Sequence, residues 1–241
     1  MGAADPGLVT IVIPALDEEG AIGATLDAVS RVRGAVEAIV VDGGSRDRTV
    51  EIARARGARV VESSRGRGVQ MCAGAAEARG GAIWFVHADT RPPEDGAERI
   101  LEALEKGVGG NFEIVFDGPT REARELTRLY PWLRLLGLCY GDSAIFVRRD
   151  VYERVGGMRP YPIFEDLDLV RRLKREGRYV RVPSAVVTSS RRFEGRSFTL
   201  TFARWAAMQG LYWLGVSPHT LARWYAPIRS GSSTERGSDR C

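Results

Sequence analysis

The chain has almost no lysine: Lys106 and Lys174 stand alone among 35 basic residues, so 33 of the 35 are arginine. Cysteine is scarce too. Cys72, Cys139 and Cys241 show no Cys-x-x-Cys spacing, which argues against a zinc site or a disulfide framework and suits a reducing cytoplasm. No uncharged apolar run of about 20 residues occurs, so no membrane-spanning helix is expected. Met1 to Gly7 lacks a basic stretch followed by an apolar one, so no secretory leader is expected.

What is present fits a folded protein. A chain of 241 residues with 44% hydrophobic content can bury a sizeable core, as one large domain or one domain with a small appendage. The net charge is +4. Arginine in place of lysine reflects either GC-rich coding or a liking for phosphate, which guanidinium groups bind as a bidentate fork. Nucleic acid is not an expected partner, because the arginines are spread along the chain, often beside glutamates, with no recognised nucleic-acid module.

Short β-rich runs alternate with helical segments along the first half. Strands are predicted at Leu8–Ile13, Val36–Val41, Arg59–Glu62 and Ala82–His87. Helices are predicted at Gly20–Val32, from Thr49 to Arg56 and from about Val69 to Arg79. Continuous apolar strands separated by helices indicate an α/β fold with a mostly parallel central sheet flanked by helices. Further along, a helix passes through Ile100 and Leu104, and Asn111–Phe116 alternates like a half-exposed strand. Pro119–Leu138 reads as helical with a break at Pro131. Ala144–Val147 and Tyr179–Val182 read as strands, Leu167–Arg175 as a helix and Phe198–Leu214 as a long apolar helix. His219 is expected to begin a last helix. Residues 8–190 form the main domain, 191–228 a helical appendage and 229–241 a tail expected to be disordered.

Polar residues gather where the strands end. The first strand runs into Pro14-Ala15-Leu16-Asp17-Glu18-Glu19 and the second into Asp42-Gly43-Gly44-Ser45-Arg46-Asp47. The third leads to Ser63-Ser64-Arg65-Gly66-Arg67-Gly68 and the fourth to His87-Ala88-Asp89. In open parallel sheets ligands bind outside the carboxyl ends of the strands. Asp and Gly are common turn residues, but their recurrence at one edge four times points to a ligand. Asp42 is placed to accept from a ring N–H or a ribose hydroxyl, and Arg65 and Arg67 to approach phosphate oxygens. Asp89 is suited to a divalent metal, which in phosphate chemistry is bound by one or two carboxylates plus phosphate oxygens. His87 stands where an Asp-x-Asp pair would have its first carboxylate, and packing is its favoured role.

Together these residues resemble the family-2 glycosyltransferases, whose fold is GT-A. Ile11-Val12-Ile13-Pro14-Ala15-Leu16-Asp17-Glu18-Glu19 is similar to that family's first-strand signature, with Asp17 where Asn is usual. Val41-Asp42-Gly43-Gly44-Ser45-Arg46-Asp47 resembles the second, and Val86-His87-Ala88-Asp89-Thr90 a variant of the Asp-x-Asp motif. Tyr140-Gly141-Asp142-Ser143-Ala144 is similar to the acceptor-side strand, and Phe164-Glu165-Asp166-Leu167-Asp168 to the Glu-Asp motif at a helix start. The closest likeness is to a subgroup of short bacterial members associated with arsenosugar or carotenoid-ester biosynthesis, from which Ser143 and Cys72 depart.

The resemblance implies an inverting transfer of sugar from a nucleotide-diphosphate donor, UDP- or GDP-linked, to an acceptor hydroxyl or carboxylate. Asp166 would be the general base and Asp89 would hold Mg²⁺ or Mn²⁺. Pro14, Ala15, Asp17, Glu18, Asp42, Arg65, Gln70, His87 and Ala88 would line the donor site. Gly141, Asp142 and Glu165 would face a small-molecule or lipid acceptor. Competing readings are a non-catalytic nucleotide-sugar-binding protein and a sugar-phosphate nucleotidyltransferase. The second needs a glycine- and Arg/Lys-bearing loop after the first strand, where this chain reads Pro14-Ala15-Leu16-Asp17-Glu18. The aromatic segment Phe198–Val216 is expected to pack over the acceptor cleft or form a homodimer contact. The alternative is that it lies in a membrane interface, holding the protein at the inner face of the membrane.

Overall fold

The computed structural model describes residues 4–118, 127, 144–189 and 198–224. Strand β1 (Asp5–Ala15) is the centre of the first half. It pairs in parallel with β2 (Ala35–Asp42) on one side and with β4 (Gly80–Phe85) on the other, and β3 (Arg59–Glu62) adds in parallel outside β2. Between them lie α1 (Ile22–Val29), α2 (Thr49–Ala55) and α3 (Arg67–Ala76). With neighbours on both edges and helices on both faces, β1 is buried from Val9 to Ala15, which is why it reads as an unbroken apolar run.

Side chains of each strand alternate between two cores. Ile11, Ile13, Val40 and Trp84 face one way, toward Ile22 and Leu26 of α1 and Ile100 of α4 (Gly96–Leu104). Val12, Ile39, Val41, Ile83 and Phe85 face the other, toward Met71 of α3 and Leu169 and Leu173 of α6 (Glu165–Glu176). Trp84 is fully buried, stacks on Phe112 at 5.0 Å and donates its indole N–H to the Ala144 carbonyl at 3.2 Å. It is a core residue.

The second half of the sheet is mixed. Strand β7 (Phe146–Arg148) runs antiparallel to β4 and to β6 (Gly109–Asp117), β6 pairs in parallel with β8 (Tyr179–Ser189), and the two-residue β5 (Thr90–Arg91) closes antiparallel on β8. The order is β3-β2-β1-β4-β7-β6-β8-β5. Several elements differ from the sequence reading. β8 continues to Ser189 rather than stopping near Val182, because Pro183 sits where the ladder slips register and takes nothing from the pairing. Arg148 ends the strand read as Ala144–Val147, and α5 (Arg149–Arg154) follows it directly. Helix α6 begins at Glu165, two residues before the apolar spacing starts. The expected helix at Pro119–Leu138 and the tail at 229–241 lie outside the described residues.

Past β8, α7 (Phe198–Trp213) and α8 (Pro218–Trp224) pack together. Met208 and Leu221 join Ile163 in a small core that includes Phe164, Leu211 and Tyr212, and Trp205 packs against the first of the two large cores. Among the described residues no helix is long and apolar enough to cross a membrane.

Candidate active site

The parallel register sets Ala15 level with Asp42 and Asp42 level with Glu62, so the first three strands end at one edge. The loops beyond β1 and β2 are laced together there. Asp17, in the left-handed region at φ 53°, donates its amide to Ser45 Oγ at 3.0 Å and accepts the Arg46 amide at 2.8 Å. The Glu18 amide donates to Thr49 Oγ1 at 2.7 Å, and the Glu19 amide to Asp47 at 3.0 Å. Asp47 also takes the Thr49 amide and hydroxyl. Burial would raise its pKa, but those hydroxyl and amide donors outweigh it and hold the carboxyl below its ordinary value.

Asp42 is buried, and its carboxylate accepts from the amides of Gly44 and Ser45 and from the Ser45 hydroxyl. It therefore shapes the loop directly. Gln70 is buried beneath the same edge. Its amide donates to the Ala15 carbonyl at 2.7 Å and the Val41 carbonyl at 2.8 Å, bridging the ends of β1 and β2. The Gly43 amide adds a third tie to Ala15, at 3.0 Å. A side chain at Gly43 would meet the Gln70 amide at 3.0 Å and press it off its two carbonyls. Gln70, Pro14 and Ala15 thus set the floor of the edge, whereas Asp17 and Arg65 are exposed on it.

The turn after β4 is pinned from both sides. Thr25 of α1 donates its hydroxyl to the Ala88 carbonyl at 2.7 Å, the Thr90 amide closes on the His87 carbonyl at 3.0 Å, and the Ser189 amide donates to the Asp89 carbonyl at 3.2 Å. His87 is buried while Asp89 is half-exposed. No cluster of three or more His, Cys, Asp or Glu side chains exists among the described residues. One carboxylate at a pinned turn fits a divalent cation only if diphosphate oxygens and water complete its shell.

The segment before α6 meets the loop after β3 at the start of α3. Arg67 Nε donates to Glu165 Oε1, a fully buried carboxylate on the first turn of α6. At Gly68 a Cβ would fall within 2.8–2.9 Å of the carbonyls of Arg159 and Tyr161, so glycine lets the segment before α6 lie against α3. Glu165, Asp166 and Asp168 all occupy the first turn of α6, where the helix dipole favours negative charge. Asp166 is buried and accepts the Leu167 amide at 2.7 Å. Asp168 pairs with Arg172 at 2.7 Å and Arg159 at 3.3 Å, and Arg172 also holds the carbonyls of Val155 and Gly157.

Sequence reasoning singled out the strand-end residues but missed Thr25, Ser45, Thr49, Asp168 and Arg172, which fix the loops. The Asp-x-Thr of Asp47–Thr49 was a readable Asx-turn signal; Thr25 and Ser189 carried none. Gly141 and Asp142 lie outside the described residues.

The comparisons with known proteins agree with this geometry. The glucosyl-3-phosphoglycerate synthase of Mycolicibacterium paratuberculosis is 40% identical over 96 residues, 35% of this chain and 29% of that enzyme. The dolichyl-phosphate hexose transferase of Haloferax volcanii is 31% identical over 157 residues, 64% of this chain and 65% of that enzyme. The chain thus spans less than two thirds of either curated relative. Crystal structures share the fold. The Mycobacterium tuberculosis glucosyl-3-phosphoglycerate synthase with Mn²⁺, UDP and glucosyl-3-phosphoglycerate matches at 24% identity and TM-score 0.54, over 74% of this chain and 70% of that one. The 1–349 fragment of S. aureus TarS with UDP-GlcNAc matches at 14% identity and TM-score 0.60, over 80% and 60%. These likenesses identify the mixed sheet and its helices as the GT-A arrangement. The model of "Glycosyl transferase family 2" matches residues 10–156, from the middle of β1 past α5, and so takes in all four strand-end loops: the chain belongs to glycosyltransferase family 2.

Proposed function

We propose that this chain transfers a sugar, with inversion, from a nucleotide-diphosphate sugar to an acceptor hydroxyl or carboxylate. The observation that carries the reading is that Asp89, on its pinned turn, and Asp166, on the first turn of α6, belong to elements gathered about one edge of the sheet. The Arg67–Glu165 pair ties the donor-side loop to the helix that bears Asp166. The Mn²⁺ and UDP bound by the M. tuberculosis enzyme support the donor class.

In this reading Asp42, Glu18 and the chain at Pro14 and Ala15 shape the nucleoside pocket, and exposed Arg65 approaches the diphosphate. Asp89 and diphosphate oxygens would hold a divalent cation, which would neutralise charge on the leaving group. With a hydroxyl acceptor, Asp166 takes its proton as the oxygen bonds to the anomeric carbon; a carboxylate acceptor attacks already ionised and gives up no proton. The bond from that carbon to the diphosphate oxygen breaks on the opposite face, and the electron pair leaves with the nucleoside diphosphate. A base at a helix N-terminus stays ionised, so placement rather than a raised pKa makes it effective. The dolichyl-phosphate hexose transferase named above keeps a lipid among the acceptor classes, beside small molecules. A cytoplasmic setting belongs to the same proposal. The likeness to the short bacterial subgroup rests on its motifs alone.

The test is donor binding followed by turnover. UDP or GDP should raise the melting temperature strongly only when Mn²⁺ is present, and Mn²⁺ alone should do little, because one carboxylate is a weak site. Asp89→Ala should fold yet lose about 100- to 1,000-fold in turnover, as when a leaving-group or oxyanion stabiliser is removed. Asp166→Asn should bind donor normally and fail to transfer. Wild-type turnover by Asp166→Asn refutes the base, and no response to any nucleoside diphosphate refutes the donor class.

A further inference from the structure

Among the described residues, helix α7 has one face packed inside and one face exposed. Met208, Leu211 and Tyr212 turn toward Ile163, Phe164 and Leu221. The opposite stripe is Ala203, Ala206, Ala207, Gly210, Trp213 and, just past the helix, Leu214, at i, i+3, i+4, i+7, i+10 and i+11. It carries no charge. Trp213 is 59% and Leu214 83% exposed, and α8 ends on Trp224 at 57%. Three of the four exposed large hydrophobic side chains among the described residues therefore lie within residues 213–224. The Arg204 guanidinium donates to the Trp224 carbonyl, tying the end of α8 to the flank of α7. From Gly195 to Thr234 the sequence has no aspartate or glutamate, while Arg196, Arg204, Arg223 and Arg229 fall in that stretch.

We propose that this face docks on an anionic lipid bilayer, with α7 lying in the interface plane. An apolar stripe flanked only by arginines matches acyl chains below and anionic headgroups around, and tryptophan favours the headgroup level. Two copies of the same stripe would face each other with arginines on both sides and no carboxylate between, so a second copy is the poorer occupant. The helix is too short to span, so it lies on the membrane rather than crossing it. The proposal stands apart from sugar transfer, and its test reads binding and not turnover.

The test is co-sedimentation of the full chain with phosphatidylcholine vesicles, with and without phosphatidylglycerol. Binding is expected only with phosphatidylglycerol, weakening as salt is raised and accompanied by a blue shift in tryptophan emission. Trp213→Ser/Leu214→Ser should weaken partitioning at least about tenfold, and Arg223→Gln about fivefold. The substituted side chains are exposed, so the melting temperature should stay at the wild-type value; if the double variant melts early, Leu214→Ser alone carries the same comparison. Undiminished binding by a folded variant overturns the proposal, as does a wild-type protein that ignores phosphatidylglycerol. A dimer that dissociates in the double variant without any vesicle binding overturns it in favour of a second copy.

Discussion

Replacing Arg67 by alanine strands the carboxylate of Glu165. That carboxylate is fully buried, its Oε1 is held by Arg67, and its Oε2 has no hydrogen-bond partner among the described residues. Removing one partner of a buried pair costs about 3–5 kcal/mol. Arg67 is 34% exposed, so water partly reaches the gap and the expected cost lies near the lower figure, about 3 kcal/mol. For a chain of this size that corresponds to a fall in melting temperature of roughly 6–12 °C. Arg67→Ala/Glu165→Gln removes the charge with its partner and should recover much of the stability at pH 8. Thermal melts of the wild type, both single variants and the double variant at pH 8 complete the cycle. An Arg67→Ala protein that melts within 2 °C of wild type at pH 8, by the scale of about 2–4 °C per kcal/mol, would refute a dry ion pair. So would a double variant no more stable than Arg67→Ala.

Asp47→Ala should cost about 1 kcal/mol in thermal or denaturant melts by removing the acceptor for Thr49 and the Glu19 amide. Because the carboxyl is held below its ordinary value, its contribution is present above that ordinary value and is lost as pH falls through the lower folded one, so the gap between wild type and variant should close in strong acid. Gly74→Ala should destabilise by about 1–3 kcal/mol, since its Cβ would stand 2.4 Å from Val12 Cγ1 and 2.7 Å from Val41 Cγ2; a variant as stable as wild type would mean that α3 can lift off the sheet freely.

Much of the first half was legible because burial on both faces writes itself as apolar runs. Arg59–Glu62 was located to the residue, and β1 and β2 to within a few residues. Alternation and punctuation misled where the sheet turns mixed. The strand read as Tyr179–Val182 runs on through Pro183, which sits at a slip in the β6–β8 ladder. Helix α5 left almost no trace, since only Val151 and Tyr152 of its six residues are buried and the rest are charged. At the site, position was legible and partnership was not. Asp17 and Asp42 stood out as strand-end carboxylates, but their bonds to Ser45 and Arg46 join loops 28 and 29 residues apart, or turn back on a neighbour, and spacing does not report them. Gln70 gave no hint that its amide would bridge two strand ends.

Helix α6 opens on Phe164, a non-glycine residue held at φ 61° with no side-chain cap. That conformation costs about 1–2 kcal/mol, and Phe164 keeps it while its ring stacks on Tyr212 of α7 at 5.2 Å, 28° from parallel. The first turn of α6, where Asp166 sits, therefore draws its shape from a helix more than thirty residues further along the chain. A fragment trimmed after β8 would keep the strands described above and the Arg67–Glu165 tie, yet lose that stacked ring at the start of α6.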